Sequence, residues 1–299
     1  MPSSIQMQLP RPVIDMSVTD LATLGLEEIP GEFRAAWRIE KASGSNSDGQ
    51  SIPVIDLAEL HGEKRSSIVE QLKRASEDGD FSKYIVNHGV PPQLFDETFR
   101  VQREFYELPD LEERLKKYNI YTDKEMSKVA TMEAETIHYP SNWRDNMILA
   151  YGPNVDTQKW PTEPPNFIEV TLKYNQAVYQ LKKELLEALS ESLGLPTSLL
   201  DDVCGEGQNT NMIYYPPCPE PSNAFGVKPH SDPNTITILT QDKVGGLEVC
   251  EKHGEWIQVK PTPYAFIVNV GDQLEIFSNG KYKSVEHRVV PNLIRAGSQ

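Results

Sequence analysis

The chain has 299 residues, of which 44 are acidic and 29 are basic, so its formal net charge at pH 7 is −15. This surplus of negative charge argues against nucleic acid or an anionic membrane as a partner, and no apolar run approaches the ~20 residues of a membrane span. The three cysteines are widely spaced without a Cys-x-x-Cys pair, and the opening residues do not resemble a signal peptide, so we expect a cytoplasmic protein with reduced thiols.

Residues 1–50 are predicted to form an N-terminal extension and linker. A short amphipathic segment lies at 18–26, and a polar, turn-rich run follows at 42–49. We therefore expect the structured core to begin near Ile52.

Helical periodicity dominates residues 51–200. Apolar residues at three- and four-residue spacing predict helices over about 63–77 and 92–105, and a long helix over about 167–193. The proline-containing stretch 118–164 is predicted to hold little helix. The apolar stripe of the long helix is expected to pack against a sheet.

From Met212 onward, short β-branched runs alternate with Gly, Pro and Asn turns. This pattern is typical of an α+β protein whose core is a jelly roll, or double-stranded β-helix, with flanking helices. We expect residues 201–299 to form that core as one structural unit with 51–200.

Two histidines and one carboxylate, His230, Asp232 and His287, are the candidate metal ligands. Positions 230 and 232 point the same way if the segment is extended, and strand-like runs surround all three residues, so we expect each ligand to lie on β-structure. Such a set can hold non-haem Fe(II) with coordination positions left open. By itself the pattern is weak, because a chain with six histidines produces similar combinations by chance.

The surrounding motifs make the pattern more specific. In order and spacing, over roughly residues 50–292, they resemble the plant-type 2-oxoglutarate- and Fe(II)-dependent dioxygenases. The matching segments are Ile52–Leu57, Val86–Val90, Asn211–Pro219, Gly226–Asn234, Gly245–Val249, Val268–Asp272, Ser278–Ser284 and His287–Val289. A zinc-binding jelly roll would not need these flanking tyrosine and glycine motifs.

The resemblance implies Fe(II) at the triad, 2-oxoglutarate as co-substrate, O₂, ascorbate as reductant, a small-molecule substrate and a monomeric enzyme. It assigns to Tyr215 a hydrogen bond to 2-oxoglutarate, whereas a buried structural role is as plausible for the neighbouring Tyr214. The strings Asn142–Asp145, Trp160-Pro161 and Pro219–Pro221 look most like the branch containing flavone synthase type I and salicylate hydroxylases. A flavonoid or phenolic would then be hydroxylated or desaturated, with a hormone or alkaloid as the alternative substrate.

The sequence also departs from the family pattern. Relatives carry Arg-x-Ser ten residues after the distal histidine, where this chain has Gly297 and Gln299, with Arg295 and Ser298 out of register. Ile213 stands where many relatives have Asn. The family's last strands and C-terminal helix have no counterpart, so we expect a C-terminally truncated member. A non-catalytic truncated paralogue or splice form that keeps the metal-binding fold is the alternative.

Four further features are not assigned to the metal site. His88 lies in an Asn-His-Gly turn and is expected to be structural, His253 is expected in a solvated hairpin, and His138 is a candidate substrate contact. Relatives usually have Gly-Phe-Phe before the Asn-His-Gly turn, where this chain has 79–84, including Lys83. This mismatch concerns the local strand and leaves the metal ligands unaffected.

Overall fold

The secondary structure comes from a computed structural model, which describes residues 16–40, 42, 52–77, 83–118, 141–250 and 254–291. Its helices are α1 (Val18–Thr23), α2 (Arg65–Glu77), α3 (Pro92–Glu107), α4 (Leu111–Lys117), α5 (Phe167–Ser192), α6 (Leu199–Cys204) and α7 (Asp272–Phe277). Its strands are β1 (Val54–Asp56), β2 (Lys83–Val86), β3 (Asp145–Tyr151), β4 (Gln208–Tyr214), β5 (Val227–His230), β6 (Ile236–Leu239), β7 (Leu247–Cys250), β8 (Trp256–Gln258), β9 (Phe266–Val270) and β10 (His287–Val289).

Two four-stranded sheets form the centre of the fold. The first has the order β1-β2-β9-β6 and the second the order β5-β10-β7-β8. Apart from the parallel pair β1 and β2, neighbouring strands in both sheets are antiparallel. A separate two-stranded sheet joins β3 to β4. This is the predicted double-stranded β-helix.

The space between the two sheets is filled by apolar side chains from both. Tyr84 and Ile267 from the first sheet share a cluster with Leu247, Val249 and Ile257 from the second. Because side chains alternate along a strand, Ile85, Phe266 and Val268 point to the opposite face of the first sheet. That outer face is covered by helices.

Helices α2, α3 and α5 form the cover. The long helix α5 presents Tyr174, Val178, Leu181 and Leu185 to the outer face, together with Phe95 from α3. These α5 positions are three and four residues apart, which puts them on one side of a helix. The predicted helices over 63–77, 92–105 and 167–193 are thus confirmed to within two residues at each end. No helix in the described ranges is long and apolar enough to cross a membrane.

The N-terminal segment 16–40 packs on the body of the protein. Val18, Leu21 and Phe33 are buried in a cluster with Trp143. The backbone amides of Val18 and Thr19 donate to the buried carboxylate of Asp145, at 3.0 and 2.7 Å. This segment is therefore part of the folded unit, at least over its described residues.

Three elements were not anticipated from the sequence. The stretch 118–164 contains strand β3 where it is described, and helices α6 and α7 interrupt regions expected to be loop and strand. The N-terminal β1 and β2 also complete a sheet with β9 and β6 from the C-terminal half. The domain boundaries remain predictions, and the linker 43–49 lies outside the described residues.

Candidate metal centre and its cavity

The triad is assembled where β5 and β10 meet. His230, the last residue of β5, lies directly opposite His287, the first residue of β10, in the antiparallel ladder. Asp232 Oδ1 lies 3.6 Å from His230 Nε2 and 3.7 Å from His287 Nε2. One ligand atom from each of the three residues lies within 4.8 Å of the others. The structure thus brings together the three side chains selected from the sequence.

The expectation that all three lie on β-structure was wrong for Asp232. Strand β5 ends at His230, and Asp232 belongs to the loop that leads into β6. Pro233 follows immediately, and it cannot donate a backbone hydrogen bond to a ladder. The position of Asp232 must therefore be fixed by contacts other than strand pairing.

Those contacts come from the start of helix α7. The amides of Gly271, Asp272 and Gln273 donate to the carbonyls of Thr235, Asp232 and Asn234, at 3.0, 2.8 and 3.1 Å. A Cβ on Gly271 would lie only 2.1 Å from the Asn234 carbonyl oxygen, so the approach requires glycine. Gly271 and Asp272 belong to the Val-Asn-Val-Gly-Asp motif, and nothing in the sequence pattern indicates that they hold the Asp232 loop.

The backbone orients both imidazoles. His230 Nδ1 lies 2.8 Å from the Lys228 carbonyl, and His287 Nδ1 lies 3.1 Å from the Val285 carbonyl. Because a carbonyl oxygen only accepts, each Nδ1 carries the proton and each neutral ring has its lone pair on Nε2. Both Nε2 atoms face Asp232, as metal ligands would.

Burial and proximity shift the three pKa values. Burial opposes ionisation of Asp232, but its contacts with His230, His287 and Thr237 outweigh burial and lower the pKa of the carboxyl. Burial lowers the pKa of His287, while for His230 the contacts with Asp232 and the Lys228 carbonyl outweigh burial and raise the pKa. An ionised Asp232 beside a neutral His287 is the state that a divalent cation requires.

The donor set fits Fe(II). Two imidazole nitrogens and one carboxylate oxygen match the facial triad of non-haem iron oxygenases. Asp232 Oδ2 is also buried without a hydrogen-bond partner, as expected of a carboxylate oxygen whose partner is a bound ion or ligand.

A buried ion pair between Arg288, next to His287 on β10, and Glu248, on the neighbouring strand β7, supports His287. Glu248 lies opposite Arg288 in the β7–β10 ladder, and both side chains are buried, at 3% and 8% exposure. Arg288 Nη2 and Glu248 Oε2 are 2.7 Å apart, and the guanidinium stacks 4.1 Å from the centre of the Trp256 ring. This paired charge fixes the strand that carries His287.

A cavity of about 440 Å³ opens on the triad. Its size is within the ~300–1,000 Å³ usual for small-molecule sites. Much of its wall is apolar or aromatic, from Phe95, Phe99, Tyr174, Val178, Met212 and Leu239. Three cations, Arg103, Arg144 and Lys182, also line it. The positive charge of Arg144 acts to lower the pKa of His230, so the Arg144 side chain lies near the triad.

The two candidate tyrosines have different surroundings. Tyr215 lines the cavity and packs so closely on Gly226 that a Cβ there would lie 2.9 Å from the ring. Tyr214 stacks on Tyr106 and donates to Glu107 at 3.0 Å, which suits a structural role. Contact of Tyr215 with 2-oxoglutarate stays a prediction.

The remaining sequence candidates lie elsewhere. His88 receives the Val90 amide on Nδ1 at 3.2 Å and donates from Nε2 to the Tyr264 carbonyl at 2.9 Å, as expected of a structural turn residue. His138, His253, Arg295 and Ser298 lie outside the described residues.

Comparison with known proteins agrees with the fold and with the candidate site. The model of the 2OG-Fe(II) oxygenase superfamily matches residues 206–295, and that of the non-haem dioxygenase in morphine synthesis N-terminal region matches 52–169. The chain is 41% identical over 278 residues to protein DMR6-LIKE OXYGENASE 2 of Arabidopsis thaliana, covering 92% of this chain and 78% of that protein. It is 41% identical over 249 residues to flavanone 3-dioxygenase 2 of Oryza sativa subsp. japonica, covering 81% and 69%.

Among solved structures, JOX2 in complex with 2OG, Fe, and JA superposes with a TM-score of 0.78 at 33% identity, covering 96% of this chain and 81% of that chain. Sequence and structure therefore lead to one conclusion: the chain belongs to the 2OG-Fe(II) oxygenase superfamily.

Proposed function

We propose that this protein hydroxylates or desaturates a small plant metabolite of the flavonoid or phenolic class, with Fe(II) held by His230, Asp232 and His287. The observation that carries the proposal is the convergence of three ligand atoms within 4.8 Å at the wall of a 440 Å³ cavity. When bound, Fe(II) and 2-oxoglutarate supply the oxidising chemistry by activating O₂.

The residues of the chain supply position and protection. His230 and His287 present fixed Nε2 lone pairs, and Asp232 supplies the negative charge that balances the cation. Tyr215, at the cavity wall, is proposed to hydrogen-bond the co-substrate. The apolar walls exclude water and suit a planar aromatic ring, while Arg144 suits a carboxylate or phenolate oxygen.

The similarity to flavanone 3-dioxygenase 2 supports a flavonoid substrate, and the similarity to JOX2, solved with JA, keeps a hormone as the alternative. The flavone synthase I and salicylate hydroxylase branch belongs to the same proposal. So do ascorbate as reductant, a monomeric state and a cytoplasmic location.

The test begins with anaerobic addition of Fe(II) and then 2-oxoglutarate to the purified protein. A visible charge-transfer band from the chelated complex is expected, and the His230→Ala and Asp232→Ala variants should not give it. Turnover of a flavanone, a phenolic acid and a jasmonate would then be compared by substrate-dependent succinate formation. A folded protein that binds metal but never gives the band would contradict the proposal.

One sequence observation favours a second candidate, a non-catalytic metal-binding protein. Counting from His287, Gly297 and Gln299 stand at the positions where relatives carry Arg-x-Ser, and Ile213 replaces a polar residue. Loss of a bidentate charge pair could weaken 2-oxoglutarate binding by about 2–5 kcal/mol. Metal binding without the charge-transfer band at any co-substrate concentration would favour this candidate.

A further inference from the structure

Strand β9 carries one polar residue in an otherwise apolar run. Its five residues, Phe266–Val270, are all buried, and Asn269 is only 1% exposed. Neither its Nδ2 nor its Oδ1 has a hydrogen-bond partner. An amide buried in this way costs free energy unless another group satisfies it, and such groups in native proteins usually serve a water, an ion or a ligand.

The ladder shows which way Asn269 points. It lies opposite Thr237 on β6, so the two side chains share one face of the sheet. Two positions earlier, Ile267 on that same face packs between the two sheets against Leu247 and Val249. Asn269 therefore faces the interior between the sheets and away from the helices.

That interior face leads to the metal centre. Thr237 and Asp232 line the same cavity, and the Thr237 hydroxyl lies 3.0 and 3.3 Å from the side-chain Nδ2 and Oδ1 of Asn234, in the loop that carries Asp232. Asp232 Oδ1 faces the two histidines, while Oδ2 is buried without a partner. A buried amide donor and a buried carboxylate oxygen, both unsatisfied, thus flank the same threonine.

We infer that Asn269 is a positioning residue of the metal centre. In the loaded site its Nδ2 donates, directly or through one ordered water, to Asp232 Oδ2. This bond fixes which carboxylate oxygen is turned toward the metal. Loss of a hydrogen bond to a metal-ligating carboxylate typically lowers metal affinity 10- to 100-fold. The inference rests on the proposed metal centre.

The test separates the effect of the Asn269 amide on the stability of the metal-free protein from its effect on metal affinity. Asn269→Leu keeps the approximate shape and removes the unsatisfied amide, so the metal-free protein should melt at the same or a higher temperature. Co(II), titrated anaerobically and followed by its visible absorption, should bind roughly tenfold or more weakly. The Fe(II) and 2-oxoglutarate charge-transfer band should shift or weaken.

Thr171→Val is the matched control. Thr171 is fully buried on helix α5 and its Oγ1 also lacks a partner, but it lies outside the space between the two sheets that Asn269 faces. This variant should gain stability as Asn269→Leu does while binding Co(II) like the wild type. Asn269→Ser, which keeps a shorter donor, should restore part of the affinity and serves if the leucine variant fails to fold.

Co(II) affinity within twofold of the wild type in a folded Asn269 variant would overturn the inference. If the wild type itself binds no Co(II), the proposed function fails instead, so the two failures are distinguishable.

Discussion

Replacement of Gly271 by alanine should displace the Asp232 loop. The added Cβ would lie 2.1 Å from the Asn234 carbonyl oxygen and 2.6 Å from Asn234 Oδ1, so the backbone of one segment has to move. The first contact is between the Cβ, whose position the backbone fixes, and a backbone oxygen, so no side-chain rotation can relieve it.

The magnitude follows from the hydrogen bonds that hold the loop. Three amide donors, from residues 271–273, bind the loop carbonyls. At about 0.5–1.5 kcal/mol each, their combined loss would lower the free energy of unfolding by about 1.5–4.5 kcal/mol. Because Asp232 moves with its carbonyl, metal affinity should fall together with stability.

Urea denaturation of the metal-free protein and anaerobic Co(II) titration measure the two effects separately. Gly31→Ala is the control, since a Cβ at Gly31 meets no atom within 4 Å. The control should leave both quantities unchanged. If Gly271→Ala keeps wild-type stability and Co(II) affinity, the close approach to Asn234 does not position the loop and the reasoning is refuted.

Three further changes test other parts of the structure. Asp232→Ala should abolish iron-dependent succinate formation while leaving the circular dichroism spectrum intact; unchanged turnover would remove Asp232 from the site. Glu248→Ala leaves the buried Arg288 guanidinium without its counter-charge and should cost about 3–5 kcal/mol of stability, measured by urea denaturation, whereas a cost below ~1 kcal/mol would mean that Trp256 stacking and the Glu40 carbonyl accommodate the charge. Burial lowers the pKa of Lys83 from 10.5 to about 8, so Lys83→Met should stabilise the protein by about 3 kcal/mol at pH 7. Between pH 8 and 10.5 the unfolded wild type binds more protons than the folded one, so wild-type stability rises with pH and the advantage of the variant shrinks; an advantage independent of pH would contradict the assignment.

Residues with strong local periodicity made much of the fold predictable. The stripe from Val170 to Leu189 on α5 fixes both the helix and its buried side. The β-branched runs at 236–239 and 266–270 form strands, in agreement with the short β-branched runs predicted from Met212 onward. The triad was recognisable because His-x-Asp and the distal His occur among several motifs in a fixed order.

Other features depend on contacts between distant segments, which a sequence pattern does not reveal. Leu274, Ile276 and Phe277 give α7 an apolar content that suits a strand as well as a helix. Its helical start is set by the packing of Gly271 on the Asp232 loop. The unsatisfied amide of Asn269 likewise becomes apparent only when its three-dimensional surroundings are known.

The docking of the N-terminal segment has a consequence for biosynthesis. Ile29 donates to Glu220, and the amides of Ala35 and Ile39 donate to the carbonyls of Asn223 and Ser222. A ribosome releases these residues long before it has made their partners, so the segment must wait, unpaired, while most of the chain is synthesised. Long-range contacts of this kind form late and slow folding. We therefore expect the N-terminal segment to dock only after the 220–223 loop has emerged from the ribosome.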